Sequence, residues 1–205
     1  MNKVVICSIP MHEKMEDAVY TGEERSVSAS ARKVFYPVNA FLENDLKKSD
    51  SVRFVLLTKK DDAGNSDRNL ELFKKEFEEV NASVGAGVEY VTIDTAFSEE
   101  KEVHEELMGK LVDAIETGSH IMADITFGPK DLPIVVFTAL NFAEKFLNCG
   151  IDHILYGKAE FKNGSVCNTR LCDMMPLYYL NSITNAIHGE EPDRARAMLR
   201  ELLSI

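Results

Sequence analysis

Short apolar runs alternate with segments of helical periodicity along most of the chain, and this alternation constrains the fold more than any other feature. The predicted strands are 4–8, 52–58, 88–93, 120–126 and 151–156. The predicted helices between them cover 31–42, 70–80, 103–115 and 131–149. Apolar strands separated by helices are typical of a parallel sheet that is covered on both faces and joined by right-handed crossovers. We therefore expect an α/β fold with a Rossmann-like, mostly parallel sheet and helices on both faces.

The C-terminal part of the chain departs from this alternation. Residues 161–172 contain Asn163-Gly164, the strongest short signal for a β-hairpin, so we expect an added antiparallel pair of strands. Two terminal helices are predicted over 177–187 and 193–203. We expect residues 1–175 to form a Rossmann-like ligand-binding domain and residues 176–205 to be a helical extension of the same domain. The helix over 131–149 is apolar nearly all round, which predicts that it is the most buried helix.

The composition is that of an ordinary globular domain. The chain has 205 residues, of which 45% are hydrophobic and 28% charged, so it can bury a full core. The N-terminal apolar run is too short for the core of a signal peptide, and no later apolar segment reaches the length of a membrane span. These features predict a soluble, cytoplasmic protein.

Charge and metal-ligand patterns exclude several function classes. There are 34 acidic and 23 basic residues, giving a net charge of -11 that opposes binding to long nucleic acid. The four cysteines have no CxxC spacing and the five histidines no metal-ligand spacing. We therefore expect reduced cysteines, no metal site and no cofactor.

The common nucleotide and hydrolase motifs are absent from the sequence. There is no GxxxxGK[ST] motif and no GxSxG elbow. The segment Gly85-Ala86-Gly87 precedes a predicted strand, whereas a dinucleotide-binding loop follows one. Dehydrogenases and serine hydrolases therefore lose support.

Two predicted strand ends carry the same chemistry. The segment 123–133 (ADITFGPKDLP) reads as a strand, a tight turn and a helix start, and 154–160 (ILYGKAE) as a second strand that ends in Gly-Lys. Free amides and a dipole at a helix start favour an anion. Ligands of open α/β sheets bind where strand order reverses, which predicts that the first strand and the polar loop 10–30 lie beside 126–130. The candidate site residues are Ser8, Thr126, Gly128, Lys130, Gly157 and Lys158.

The chain resembles the CARF family, the CRISPR-associated Rossmann-fold sensors of type III CRISPR systems. The resemblance lies in these two junctions, in the apolar helix that follows the first of them, and in the segment Leu171-Cys172-Asp173-Met174 that leads into the terminal helices. Family members often have Asp-(Ile/Val)-Thr-His-Gly followed by a basic residue at the first junction. Here Phe127 takes the place of that His, which removes any role that needs an imidazole. Thr126, Gly128 and Lys130 are the matched positions.

The resemblance implies a homodimer that binds cyclic oligoadenylate, most simply cyclic tetra-adenylate, across its two-fold axis, with Phe127 among the ligand-binding positions. A ring of identical nucleotides shares that symmetry, so two copies of Lys130 and Lys158 can face one ring. The resemblance also implies a possible metal-independent ring nuclease, in which Lys158 supplies the cation and Ser8 and Thr126 orient the phosphate. A C-terminal effector module that is absent from this chain is a further possible partner, as in many relatives.

Plainer interpretations stay open for each residue. Thr126 and Gly128 would also suit a simple strand end and helix cap, and Ser8 close packing at the end of a first strand. Lys130 is equally consistent with a local ion pair to Asp131. The pair Lys59-Lys60 after the second strand is typical of a solvated loop. The alternative function is a Rossmann-like regulator or enzyme that binds a different nucleotide.

Overall fold

A computed structural model describes residues 1–22, 27–162, 165–187 and 191–203. The chain divides into two compact units, Met1–Asp173 and Met174–Ile205. The boundary between them falls two positions before the expected boundary after Met175. The first unit holds the sheet and all of the candidate site residues.

Strands and helices alternate in the first unit as the sequence predicts. Its strands are β1 (Asn2–Ser8), β2 (Ala18–Val19), β3 (Thr21–Gly22), β4 (Lys33–Val34), β5 (Ser51–Thr58), β6 (Gly87–Asp94), β7 (His120–Asp124), β8 (Gly150–Lys162) and β9 (Ser165–Asp173). Its helices are α1 (Pro37–Asp45), α2 (Asn65–Val84), α3 (Lys101–Ala114) and α4 (Leu132–Phe146). The second unit contains α5 (Met175–Ala186) and α6 (Pro192–Leu203).

The main sheet has seven strands in the order β3-β9-β8-β7-β1-β5-β6. Every neighbouring pair in it is parallel except β8 and β9, which are antiparallel. A separate two-stranded antiparallel sheet joins β2 to β4. The prediction of a mostly parallel, Rossmann-like sheet is therefore confirmed, and so is the antiparallel pair at its end. The predicted turn residues Asn163 and Gly164 lie outside the described residues.

The order of the strands creates a switch point between β1 and β7. The chain runs from β1 outward to β5 and β6 and then returns to β7 on the other side of β1. The carboxyl ends of β1 and β7 therefore flank a crevice, which is the usual place for a ligand in such a sheet. Both strands are almost entirely buried, since apolar side chains fill both faces of the sheet at its centre.

The prediction of where the first helix begins was wrong. The periodic segment 31–42 was expected to be helical throughout, but α1 begins only at Pro37 and residues 33–34 form β4. Proline restricts the preceding residue to extended conformations, and Tyr36 is extended with φ -113° and ψ 110°. The buried carboxylate of Glu76 accepts hydrogen bonds from the Phe35 and Tyr36 amides at 2.6 and 3.1 Å, which stabilises this extended entry to α1.

The helix predicted over 131–149 is shorter and less enclosed than expected. It corresponds to α4, and its buried face carries Leu132, Val135, Val136, Ala139, Leu140 and Ala143. On the remaining surface Ile134 is 69% and Phe146 70% exposed. Apolar composition alone does not distinguish a helix buried on one face from one enclosed on all sides.

The remaining differences concern short segments. β7 ends at Asp124, two residues before the predicted end of that strand, and the loop 10–30 contains β2 and β3. In the described part of the chain, no helix combines the length and the apolar character that crossing a membrane requires.

Candidate functional site

The switch point brings the first strand and the 126–130 segment together. Cys7 of β1 is paired with Asp124 of β7, so Ser8 and Ile125 follow side by side at the carboxyl edge. The Ser8 Oγ atom lies 3.3 Å from the position that a Cβ atom would take on Gly128. We call Ser8, Asp124, Thr126, Gly128 and Gly157 the switch-point site.

Ser8 has the most unusual environment of these residues. Its side chain is nearly inaccessible, with 2% of the residue exposed, and its hydroxyl has no hydrogen-bond partner among the described residues. An unpaired buried hydroxyl costs about 1–3 kcal/mol relative to a paired one. The hydroxyl therefore has an unused capacity to donate a hydrogen bond beside Gly128, at the carboxyl end of β1.

Any side chain at position 128 would strain the backbone and clash with its neighbours, so this position requires glycine. Its φ of +111° is rarely adopted by L side chains, and a Cβ atom there would lie 2.5 Å from Leu132 Cδ2. The turn after β7 thus brings its backbone unusually close to both the Ser8 side chain and the first residue of α4. This close approach places the Gly128 backbone just before the N-terminus of α4, the end of a helix that favours an anion.

Thr126 joins the two predicted junctions. Its hydroxyl accepts a hydrogen bond from the Gly157 amide at 2.8 Å and donates one to the carboxylate of Asp124. Asp124 Oδ1 also accepts a hydrogen bond from the Thr126 amide at 2.8 Å. The hydroxyl proton of Thr126 is thus already committed to Asp124, and Thr126 connects strand ends instead of presenting a free donor.

Asp124 is a site residue that the sequence analysis missed. It is buried, and burial raises its pKa to about 6 although hydrogen bonds from Thr126 act in the opposite direction. At neutral pH the carboxyl group is ionised and accepts the Thr126 proton. The signal was present in the sequence, because a carboxylic acid interrupts an otherwise apolar strand, His120–Asp124.

Gly157 is placed where the chain leaves no room for a side chain. A Cβ atom on Gly157 would lie 2.3 Å from Pro37 Cγ and 3.1 Å from Thr126 Oγ1. The residue is therefore needed for close packing of β8 against α1 and β7. This requirement explains why a glycine stands at the predicted second junction.

The structure does not bring Lys158 into contact with Thr126. Pro37 and the Thr126 hydroxyl lie on the face of β8 toward which a side chain at Gly157 would point. Successive side chains of a strand point to opposite faces, so the Lys158 side chain leaves β8 on the other face. Its side chain is 54% exposed, and its Nζ atom lies 3.7 Å from Glu160 Oε1. Within one chain, Lys158 is thus a solvated lysine near a carboxylate.

Lys130 is exposed at the start of α4 and does not form the local ion pair that the sequence left open. Asp131 instead contacts His104 of α3, with His104 Nε2 2.6 Å from Asp131 Oδ2. Lys130 forms no ion pair with any residue that the structure describes. Its charge is available at the edge of the switch-point site.

An aromatic groove of about 320 Å³ adjoins the switch-point site. We define it by its aromatic lining and two polar residues of the loop after β1, namely Tyr20, Phe35, Phe127, Tyr156, Phe161, His12 and Lys14. Phe127 packs edge-on against Tyr36, with ring centroids 5.8 Å apart, and near His12 at 6.2 Å. Phe127 is therefore part of the apolar wall of this groove.

The loop after β1 is fixed in place by α2. Asn69 Nδ2 donates hydrogen bonds to the carbonyl oxygens of Pro10 and His12 at 2.8 and 3.0 Å. Arg68 Nη2 donates to the carbonyl oxygen of Glu13 at 2.6 Å. The groove thus has an ordered wall. The sequence predicted the loop but not these contacts, because polar residues within a loop carry no periodic signal.

No group of three or more His, Cys, Asp or Glu side chains in the described ranges is placed to hold a metal ion. In comparisons with known proteins, no family model and no curated protein matches this chain. The resemblance to CARF proteins therefore depends on the two junctions and the order of elements alone, and stays a prediction.

Proposed function

We propose that this chain is a CARF-type sensor that binds cyclic oligoadenylate as a homodimer, with the switch-point site holding phosphate and the aromatic groove holding a base. The observation that carries the proposal is the buried, unpaired hydroxyl of Ser8 beside Gly128 at the switch point. A phosphate oxygen at the crevice would accept this hydrogen bond, and the start of α4 would add a favourable dipole.

The aromatic groove supports a nucleotide over a simple anion. Tyr156 and Phe161 are 39% and 73% exposed, and both line the groove. Stacking of a base on an aromatic side chain contributes about 1–3 kcal/mol. The acidic surface, with a net charge of -11, would select against long RNA, because it offers few clustered cations for an extended phosphate backbone.

A two-fold dimer fits a cyclic ligand better than a linear one. Each protomer would supply one switch-point site, one Lys130 and one aromatic groove, and a ring of identical nucleotides repeats about the same axis. Two sites acting on one ring would gain affinity without requiring a strong contact in either protomer. This dimer is part of the proposal.

Ring cleavage is the less favoured activity. In that reaction a ribose 2′-hydroxyl attacks the adjacent phosphorus, the 5′-oxygen leaves and takes up a proton, and a 2′,3′-cyclic phosphate remains. The Thr126 proton is committed to Asp124, and Lys158 lies on the other face of its strand. Of the groups suggested for catalysis, Ser8 alone remains at the crevice as a free donor.

The test is equilibrium binding of cyclic tetra-adenylate and cyclic hexa-adenylate to the purified protein in EDTA, with the products analysed for cleavage. We expect micromolar or tighter binding of one ring. Ser8→Ala should weaken it by roughly 10- to 150-fold, because one charge-assisted hydrogen bond contributes about 1.5–3 kcal/mol. Ser66→Ala is the matched control, since Ser66 is also buried with an unpaired hydroxyl, on α2.

Failure of both rings to bind at micromolar concentration would overturn the proposal and favour a different nucleotide. Equal losses in the Ser8 and Ser66 variants would show that the hydroxyl acts through packing and not through the ligand. Linear products with 2′,3′-cyclic phosphate ends would add ring cleavage to the proposed function.

A further inference from the structure

A second cleft, of about 470 Å³, lies away from the switch point, where β5 and β6 end. Lys59 and Lys60 of the loop after β5 line it together with Lys110 of α3, and two acidic residues, Asp94 and Glu106, also lie in its lining. Half-buried Val103 of α3, with the buried Leu107 next to it on the same helix face, provides an apolar wall. We call these residues the lysine cleft. Its volume falls within the range of about 300–1,000 Å³ that is usual for small-molecule sites.

Backbone hydrogen bonds join the two strands whose ends border the lysine cleft. β5 and β6 remain paired up to their last residues, Thr58 and Asp94. The Thr95 amide then donates a hydrogen bond to the Thr58 carbonyl at 2.9 Å, which extends the pairing by one step into the cleft. The loop lysines therefore leave a fixed strand end.

Lys110 is held at the rim by two acceptors. Its Nζ atom lies 2.6 Å from Glu106 Oε1 and donates a hydrogen bond to the Asp94 carbonyl at 3.2 Å. Glu106 neutralises this ammonium group. Lys110 therefore forms part of the rim of the cleft. It is not the main source of positive charge there, because Glu106 is paired with it.

Lys59 and Lys60 are different, because neither forms an ion pair with any carboxylate in the described ranges. The nearest carboxylate in sequence, Asp61, forms its hydrogen bonds with the backbone of α2. Its two carboxylate oxygens accept hydrogen bonds from the Asn65 and Ser66 amides at 2.8 and 3.3 Å, at the start of α2. Lys47 and Lys48 are likewise an adjacent lysine pair without an ion pair in the described ranges, but they are not among the residues that line this cleft.

We propose that the lysine cleft is a second binding site, for a small organic phosphate whose phosphate group contacts Lys59 and Lys60 and whose apolar part packs on Val103 and Leu107. The two ammonium groups supply the charge that the phosphate requires, and charge-assisted contacts of this type are among the stronger hydrogen bonds. The apolar wall gives a reason for an organic phosphate over the inorganic ion. The site is independent of the proposed cyclic oligoadenylate site.

The test is a titration of the full chain, labelled with nitrogen-15, using phenyl phosphate and inorganic phosphate as probes at constant ionic strength. We expect saturable shifts of the Lys59, Lys60 and Thr95 amide signals. Phenyl phosphate should bind about three- to tenfold more tightly than inorganic phosphate, since burial of part of its ring on Val103 and Leu107 adds apolar contact.

A matched pair of double variants separates local contacts from overall charge. Lys59→Ala with Lys60→Ala should weaken phenyl phosphate binding by about tenfold or more, because both charged contacts are lost. Lys47→Ala with Lys48→Ala removes the same charge from an exposed lysine pair that precedes β5, at the opposite end of that strand. We expect this control to change the affinity by less than about twofold.

Three results would overturn the proposal. The first is the absence of saturable shifts at millimolar phenyl phosphate, and the second is an equal loss of affinity in both double variants. The third is loss of cyclic tetra-adenylate binding in the Lys59/Lys60 variant, which would make the cleft part of the first site. Retention of cyclic tetra-adenylate binding by that variant, together with loss of phenyl phosphate binding, would establish two separate sites.

Discussion

The switch-point site and the lysine cleft both lie where parallel strands end, yet they are built from different interactions. At the switch point, Thr126 connects Asp124 to Gly157 through buried hydrogen bonds, and lysines lie only at the edge. At the lysine cleft, Lys59 and Lys60 stand unpaired beside an apolar wall. The first site depends on packing and hydrogen-bond geometry, and the second on local charge.

The difference follows from the position of each strand in the sheet. β1 and β7 are central, so side chains at their ends are covered by neighbouring elements and must be paired or small. β6 is the edge strand and most of its residues are exposed or half-buried. Lys59 and Lys60 follow β5, an interior strand that is mostly buried, but the loop that carries them lies next to this edge strand, where Lys59 is half-buried and Lys60 exposed. Their ammonium groups can therefore stay solvated without a large desolvation cost. We therefore expect substitutions at the switch point to affect folding, and substitutions at the lysine cleft to affect binding alone.

Gly157→Val should have the largest effect, because it places atoms where Pro37 Cγ is only 2.3 Å from a Cβ position. We expect a loss of about 3 kcal/mol in the free energy of unfolding, at the upper end of overpacking costs, measured by urea denaturation. If the variant still folds, cyclic tetra-adenylate binding should be lost, whereas phenyl phosphate binding at the lysine cleft should persist.

Gly109→Ala is the control for this prediction. Gly109 lies within α3, and a Cβ atom there would meet nothing within 4 Å. Alanine favours a helix interior over glycine by about 0.5–1 kcal/mol, so this variant should be slightly more stable. If Gly157→Val unfolded at the same urea concentration as the unaltered protein, the close approach of β8 to α1 would be refuted.

Periodicity was sufficient to predict most of the first unit. The order of strands and helices and the meeting of Ser8 with the 126–130 segment followed from apolar runs and from the rule that ligands bind at switch points. The α1 boundary did not follow, because it depends on Glu76, a residue distant in sequence that accepts the Phe35 and Tyr36 amides.

Contacts between side chains were the least predictable part of the site. The sequence suggested that Lys158 and Thr126 share one edge, but it does not define the face of a strand end on which each side chain lies. Asp124 was overlooked because it lies inside an apolar run, and its hydrogen bonds to Thr126 are visible only in three dimensions. The sequence also favoured a solvated loop for Lys59 and Lys60, since the cleft beside them is formed by α3, which is remote in the chain.

Asp124 gives the switch-point site a pH dependence. Its folded pKa is about 6, whereas an unfolded aspartate has a pKa of about 3.9. The folded state therefore binds more protons between these values, so its stability falls as pH rises from 4 to 6 and then stays level. We expect the unaltered protein to lose about 2 kcal/mol relative to Asp124→Asn between pH 4 and pH 6, measured by urea denaturation at each pH.

Asp113→Asn provides the comparison, because it removes a carboxylate that is exposed on α3 and not one that is buried at the switch point. A pH-independent difference between Asp124→Asn and the unaltered protein would show that Asp124 titrates equally in both states. A carbon-13 titration of the Asp124 carboxyl group, with a midpoint near 6, would give the same information without unfolding the chain.

The smallest expected effect is a difference between the two sites in how strongly salt weakens ligand binding. Exposed charges are strongly screened, since the Debye length falls from about 10 Å at 0.1 M salt to about 3 Å at 1 M. Between these concentrations we expect phenyl phosphate to bind the lysine cleft about five- to tenfold more weakly, and cyclic tetra-adenylate to lose only about two- to threefold at the switch point. The Ser8 hydrogen bond and base stacking are much less sensitive to screening, and salt also weakens the repulsion between the ligand and the acidic surface. Equal salt slopes, measured by isothermal titration, would mean that charge dominates both sites and that the contrast between a packed site and a charged one is wrong.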